Sequence, residues 1–215
     1  MRPWDALARD QTGFAILNFT EYQLTRAVGS GKPILNAAAA GDLPHLGEFG
    51  AINLDVRPAD HLRRLGMQIP LNYREGSVFD IPFADGSFKT VVLGEFLEHC
   101  TEAAASQAVR ECARVLASGG NLIITVPLDG RPNGHNRPGA AEGHDIADMQ
   151  CEPEMAALDH ADWSEGVTAY HQTWWSNEML HRLRERAGLV EVERVALFYA
   201  FTAPIGGWAM TWHKP

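Results

Sequence analysis

The chain has 215 residues, of which 46% are hydrophobic, and a formal net charge of -9. That length suits one α/β domain, and so acidic a balance argues against a protein that tracks nucleic-acid phosphates. No apolar run reaches the ~20 residues of a membrane span, and Met1-Arg2-Pro3-Trp4-Asp5 lacks the apolar core of a signal peptide. Cys100, Cys112 and Cys151 are widely spaced and odd in number, the usage of reduced thiols, so a cytoplasmic protein is expected.

An N-terminal segment over 1–32 contains a helix from 12 to 28, with Phe14, Leu17, Tyr22, Leu24 and Val28 facing inward and Gly29-Ser30-Gly31 ending it. Pro33-Ile34-Leu35 opens a first strand, and 51–55 is a second. A short helix runs from Pro58 to Leu65, with the proline suited to its first turn. Residues 72–75 form a short third strand, and 90–93 and 121–126 a fourth and fifth. The last two are nearly continuous apolar runs, as expected of parallel strands covered on both faces. Between them, 102–116 is helical, with Ala108, Val109, Cys112, Val115 and Leu116 on its apolar face. Residues 128–170, rich in Gly, Pro, His, Asp and Glu, break the alternation and are expected to form a lid-like insertion. Ser176 is an N-cap for a helix to Ala187, which Gly188 stops. Segments 190–198 and 208–212 complete the set as strands. Strand–helix alternation of this kind gives a single α/β domain with a Rossmann-like, doubly wound sheet.

The stretch from Gly76 to Cys100 is the most specific. Ile81-Pro82-Phe83 precedes a turn at Asp85-Gly86-Ser87-Phe88, and Leu97-Glu98-His99 follows the next strand. This combination resembles the middle of a class I S-adenosylmethionine-dependent methyltransferase of the small-molecule, type 11 family. The resemblance implies a seven-stranded sheet with an antiparallel last strand, S-adenosyl-L-methionine as cofactor, and a small-molecule substrate with an oxygen or nitrogen nucleophile. No nucleic-acid or membrane partner and no resident metal are expected, and oligomeric state is left open.

In doubly wound sheets ligands lie at the carboxyl ends of the strands, near the point where strand order reverses. The loop after the first strand reads Asn36-Ala37-Ala38-Ala39-Ala40-Gly41-Asp42. By the resemblance, Asn36 stands where the family has an acid, and Ala38 and Ala40 stand where it has glycines. Alanine permits close approach but disfavours positive φ, and Asn36 offers a neutral carbonyl oxygen to the cofactor's amino group. Asp55, ending the second strand, can accept both hydroxyls of a ribose; its other reading is a cap for the helix near Pro58. The segment around Leu43–Phe49 leaves room only for a stubby helix. Ser77 and Val78 match the family's adenine-contacting pair. Asp80 is a second adenine candidate or a turn former. Gly94 and Glu95 follow the fourth strand, on the methionine side.

His99 and His171 are the proton-acceptor candidates, since imidazole titrates near neutral pH. His171 precedes Gln172-Thr173-Trp174-Trp175-Ser176. His135, His144, Asp145, Asp148, Cys151, Glu152, His160 and Asp162 are metal-ligand types without zinc-site spacing. Gly29-Ser30-Gly31-Lys32 fails as a phosphate loop, because Pro33 replaces the Ser/Thr and a strand follows. Two alternatives stand beside the main reading. One is a non-catalytic S-adenosylmethionine-, S-adenosylhomocysteine- or nucleotide-binding protein of the same fold. The other is a metal-assisted sugar or catechol-type O-methyltransferase.

Overall fold

The structure, a computed structural model, describes residues 19–39, 46–64, 66, 68–127, 173, 175–197 and 207–215. Residues 12–18 of the expected first helix, the 128–170 insertion and residue 198 of the expected 190–198 strand lie outside them. In chain order the elements are α1 (Phe19–Ser30), β1 (Ile34–Ala37), β2 (Ile52–Asp55), α2 (Ala59–Arg64), β3 (Tyr73–Glu75), β4 (Phe88–Gly94), α3 (Glu102–Val115), β5 (Leu116–Pro127), α4 (Asn177–Arg186), β6 (Val190–Leu197) and β7 (Gly207–His213). The stubby helix expected near Leu43–Phe49 is a 3-10 turn at Leu46–Phe49, and a second such turn holds Leu97–His99.

The seven strands form one sheet in the order β3-β2-β1-β4-β5-β7-β6. β1 to β5 are parallel, and β7 runs antiparallel to both β5 and β6. Strand order reverses at β1, which pairs with β2 on one side and β4 on the other. The seven-stranded, mostly parallel architecture expected from the sequence is therefore the one observed.

Successive buried residues of the central strands face two different cores. Leu35, Val91, Leu93, Leu122 and Ile124 pack into a core with α3 and α4, through Ala105, Ala108, Val109, Cys112, Leu180 and Leu183. Ile34, Val92, Ile123 and Ala209 point the other way, against Tyr22 and Ala27 of α1. Both faces are covered, which is why these strands read as unbroken apolar runs instead of alternating ones. Each such Leu or Ile, fully buried, contributes about 1.5–3 kcal/mol relative to an exposed one.

α1 is pinned across the sheet. Arg26 pairs with Glu193 of β6 through Nε and Nη2, and the Tyr22 hydroxyl donates to the same carboxylate at 2.9 Å. The Tyr22 oxygen also lies 3.0 Å from Thr211 Oγ1 on β7. These contacts set the rotation of α1 and deliver its next residue, Gln23, to the carboxyl ends of β4 and β5. Ser176 caps α4 by accepting from the Met179 N–H at 3.2 Å, and Gly188 leaves the helix at φ +69. Thr101 plays the same capping role for α3. The arginines of α4 pair with acids, Arg182 with Glu178 and Arg186 with Glu102, in keeping with a solvated ion-paired face.

Candidate active site

The carboxyl ends of β1, β2 and β4 lie side by side, because parallel pairing puts them on one edge of the sheet. Among the described residues three non-glycine residues have positive φ, and two of them directly follow β1 and β4: Ala38 at +54 and Glu95 at +49. Left-handed backbone costs a residue with a Cβ roughly 1–2 kcal/mol. Both strained turns therefore flank the point where strand order reverses. Ala38 thus adopts the conformation that a glycine would take, although alanine disfavours it. The turn is held by the next residue, whose N–H donates to the Leu54 carbonyl at 2.9 Å. Ala40 lies outside the described residues.

Asn36 is buried on β1, beside Asn53 of β2. Its Nδ2 donates to Asn53 Oδ1 at 2.8 Å, and Asn53 Nδ2 donates onward to the Leu71 carbonyl at 2.7 Å. The relay uses the amide nitrogen of Asn36 and leaves its Oδ1 as the acceptor. An acid at position 36 would face Asn53 Oδ1 with a second acceptor, so the two asparagines form a matched pair. The sequence reading missed Asn53; the signal was a second asparagine on the neighbouring strand.

Asp55 ends β2 and is 5% exposed. Its carboxylate is engaged by Arg57 three times: backbone N–H to Oδ1 at 2.9 Å, Nε to Oδ1 at 3.0 Å, and Nη2 to Oδ2 at 3.3 Å. The backbone contact is a local turn ahead of α2, not the helix cap expected of this aspartate, because the Ala59 N–H at the start of α2 donates to Glu75 Oε1 at 3.0 Å. The guanidinium contact was not foreseen. Arg57 is itself 7% exposed, and the Tyr73 hydroxyl donates to its carbonyl at 2.6 Å.

The loop after β3 begins at Gly76, where an added Cβ would lie 2.7 Å from Leu54 Cδ1 and 3.1 Å from Pro82 Cγ. Ser77 is half-buried, Val78 buried and Asp80 exposed. The Asp80 N–H donates to the Ser77 carbonyl at 3.3 Å, so the turn role expected of Asp80 is present. Ser77 Oγ accepts from the Phe79 N–H at 3.1 Å. The following segment is clamped from α3. Arg114 donates to the carbonyls of Ile81 and Phe83 and to the carboxylates of Asp85 and Glu111. Glu111 in turn accepts from the Ile81 N–H at 3.0 Å. The arginine holds the Glu111 carboxyl below the usual carboxylate range. The motif Ile81-Pro82-Phe83-Ala84-Asp85 is thus shaped by two side chains some thirty residues away, which spacing alone could not reveal.

Gly94 is where Gln23 passes. A Cβ on Gly94 would lie 2.2 Å from Gln23 Nε2, which donates to Thr125 Oγ1 at 2.6 Å. Close approach to this glycine is therefore made, among the described residues, by a side chain of α1. Glu95 is exposed, and its N–H donates to the Thr125 carbonyl at 3.0 Å. Glu98 is 1% exposed, and neither carboxylate oxygen has a hydrogen-bond partner among the described residues. Burial pushes its carboxyl well above the usual range, and the nearby Glu95 charge acts in the same direction. His99 Nε2 lies 4.0 Å from Glu98 Oε1. The Thr173 N–H and hydroxyl donate to the Glu98 and Cys100 carbonyls at 3.2 and 2.6 Å, so the chain entering α4 is tied to this turn. His171 lies outside the described residues, two positions before Thr173.

Cys100 and Cys112 are buried and free, and burial pushes both thiols up. Among the described residues no three His, Cys, Asp or Glu side chains stand close enough to hold a metal ion. Among them, too, no helix is long and apolar enough to cross a membrane.

These features fit an adenosyl ligand in part. The two left-handed turns, the Asn36 Oδ1 and the clamped loop would form the cradle of such a ligand, whereas the Asp55 carboxylate that would take its ribose is already engaged by Arg57. The sequence of one known family, described as a methyltransferase domain, matches residues 25–124. No curated protein matches the chain in sequence. Solved structures share the fold. A Burkholderia thailandensis 1,6-didemethyltoxoflavin-N1-methyltransferase, with 1,6-didemethyltoxoflavin and S-adenosylhomocysteine bound, aligns at TM-score 0.61 and 14% identity, covering 91% of this chain and 77% of its own. An S-adenosylmethionine-dependent methyltransferase of Methanosarcina mazei aligns at TM-score 0.57 and 15% identity, with 84% and 91% covered. The [4+2]-cyclase SpnF aligns at TM-score 0.58 and 17% identity, with 91% and 79% covered. Residues 25–124 thus match the methyltransferase-domain family, and the sheet order is that of a fold shared with solved S-adenosylmethionine-dependent methyltransferases.

Proposed function

We propose that this protein transfers a methyl group from S-adenosylmethionine to an oxygen or nitrogen of a small molecule. The observation that carries the reading is the pair of strained, left-handed residues, Ala38 and Glu95, at the ends of β1 and β4. Strain of this kind persists only where the surroundings over-determine it, and it concentrates at ligand clamps and active sites. When bound, the cofactor supplies a methyl group made electrophilic by its sulfonium.

In this reading Asn36 Oδ1 receives the amino group, and the backbone at Ala38 and Ala40 lies along the methionine portion. Asp55 takes the ribose, and Ser77, Val78 and Asp80 line the adenine. Gly94 and Glu95 present backbone on the methionine side, and Gln23, lying on Gly94, joins them. Much of the acceleration comes from holding nucleophile and methyl group in line in a site that excludes water. An amine substrate needs only a neutral lone pair. A hydroxyl substrate gains from a base, and His171 or His99 would take that role. Glu98 is a poor base, because burial favours its neutral form.

Calorimetry with S-adenosylmethionine and S-adenosylhomocysteine tests the reading. Binding of both in the micromolar range is expected, and no binding of either at millimolar concentration refutes it. A second reading is a non-methylating binder of the same ligand. It draws on Asn36 in place of an acid and on the occupied Asp55 carboxylate. The fold of SpnF, a cyclase, shows that this architecture alone does not dictate methyl transfer. Binding without turnover across amine and hydroxyl substrates would favour that reading. Turnover lost in EDTA and restored by Mg²⁺ would instead favour metal assistance.

A further inference from the structure

The ion pair between Asp55 and Arg57 is nearly closed to solvent, and it lies where a ribose would be recognised. A carboxylate has about four lone-pair positions. Two on Oδ1 are taken by the Arg57 backbone N–H and Nε, at 2.9 and 3.0 Å. One on Oδ2 is taken by Nη2 at 3.3 Å, the longest and weakest of the three contacts. Arg57 cannot easily drift from this position. Its carbonyl is held by the Tyr73 hydroxyl, and its own N–H is bound to the carboxylate it pairs with.

We infer that Arg57 is a specificity-determining residue at the ribose end of the site. With its guanidinium in place, Asp55 can accept one ribose hydroxyl, on Oδ2. Two-point recognition of a diol requires that Nη2 be displaced. Arg57 therefore competes with the second hydroxyl and weakens the adenosyl ligand. This inference rests on the proposed function, because it takes Asp55 as the ribose acceptor.

The test is calorimetry with S-adenosylhomocysteine and its 2′-deoxy and 3′-deoxy forms, on the wild-type chain, Arg57→Ser and Arg57→Lys. S-adenosylhomocysteine lacks the sulfonium charge, so removing a cation does not by itself relieve repulsion. Arg57→Ser is expected to bind it more tightly, by on the order of tenfold, the worth of one regained hydrogen bond to a charged group. The deoxy series is the sharper readout. In the wild type one of the two deoxy forms is expected to bind almost as well as the parent, whereas in Arg57→Ser both lose affinity. Arg57→Lys keeps the charge but loses the fork, and is expected to fall between. If the wild type binds and Arg57→Ser binds equally or more weakly while remaining folded by circular dichroism, the inference is overturned and the proposed function stands. The inference is equally overturned if Arg57→Ser fails to fold and Arg57→Lys, folded, binds no more tightly than the wild type. If neither wild type nor variants bind, the proposed function fails and this inference fails with it. Binding by Arg57→Ser alone would support the inference in its strongest form.

Discussion

Replacing Ala38 by glycine tests whether the turn after β1 is strained as its φ of +54 implies. Ala39 serves as the internal control, because it is the adjacent residue, has the same side chain, and is absent from the positive-φ set. Ala39 is 4% exposed, so Ala39→Gly loses a buried methyl, about 0.8 kcal/mol. It also gains unfolded-state freedom, which costs about 0.4–1 kcal/mol. A net destabilisation of about 1–2 kcal/mol is expected. Ala38→Gly bears the same entropic cost and about half the methyl loss, since Ala38 is only half-buried. It recovers the left-handed penalty of roughly 1–2 kcal/mol. Ala38→Gly is therefore expected to be near neutral or stabilising. The two variants should differ by about 1.4–2.4 kcal/mol, or about 3–10 °C in Tm for a chain of this size. Thermal unfolding by circular dichroism, with urea midpoints as a second measure, reads the difference. If Ala38→Gly destabilises as much as Ala39→Gly, the left-handed turn carries no strain, and the observation supporting the proposed function is lost.

Four further outcomes are expected. Asn36→Asp sets a carboxylate against Asn53 Oδ1, so it should cost about 1–3 kcal/mol of stability, and Asn53→Ser in the same chain should recover part of it; simple additivity would dismiss the asparagine relay. Gly94→Ala should displace Gln23 from Thr125 and lower the urea midpoint, with Gln23→Ala relieving the loss; an unchanged midpoint in Gly94→Ala would show that the glycine is not needed for packing. Arg114→Ala should destabilise by about 1–2 kcal/mol, allowing for its partial exposure, and open the loop around Ile81–Asp85 to limited proteolysis; Arg114→Lys should rescue little, because one ammonium cannot span both carbonyls and both carboxylates.

The fourth concerns Glu98, whose folded carboxyl is raised above its unfolded value of about 4.3. Its contribution to stability is fully present below that unfolded value. It is lost as pH rises from there through the folded value, because the unfolded chain releases the proton first. Glu98→Gln removes this term. Its urea midpoint relative to wild type should therefore climb with pH above about 4.3 and then level off. A constant offset from pH 4 to pH 8 would contradict the burial argument.

Much of the molecule was legible in the amino-acid order, because the determinants were local. Unbroken apolar runs announced strands covered on both sides, and Leu122-Ile123-Ile124 indeed feeds cores on both faces. Ser176 and Gly188 marked the ends of α4 through capping chemistry that acts within a few residues. The Gly76–Cys100 stretch placed the fourth strand and its flanking turns. The candidate site was read less completely. Asn36, Asp55 and the Ser77–Asp80 turn stood out as candidates, but not what they touch.

Only the tertiary structure decided those partners, because each comes from another strand or helix. Asn53 occupies the amide of Asn36 across a parallel strand pair, and Arg114 clamps the 81–85 loop from α3. Gln23 reaches Gly94 because Tyr22 and Arg26 are anchored on β6 and β7. Arg57 is the instructive intermediate case. It is two residues from Asp55, yet that spacing does not say whether its side chain turns toward the carboxylate or toward water; in the fold it meets the carboxylate, and the Tyr73 hydroxyl of β3 donates to its carbonyl. Composition and periodicity sufficed for the sheet because hydrophobic burial is non-directional and follows from pattern. The site depended on directional hydrogen bonds between distant residues, and only the folded chain brings those together.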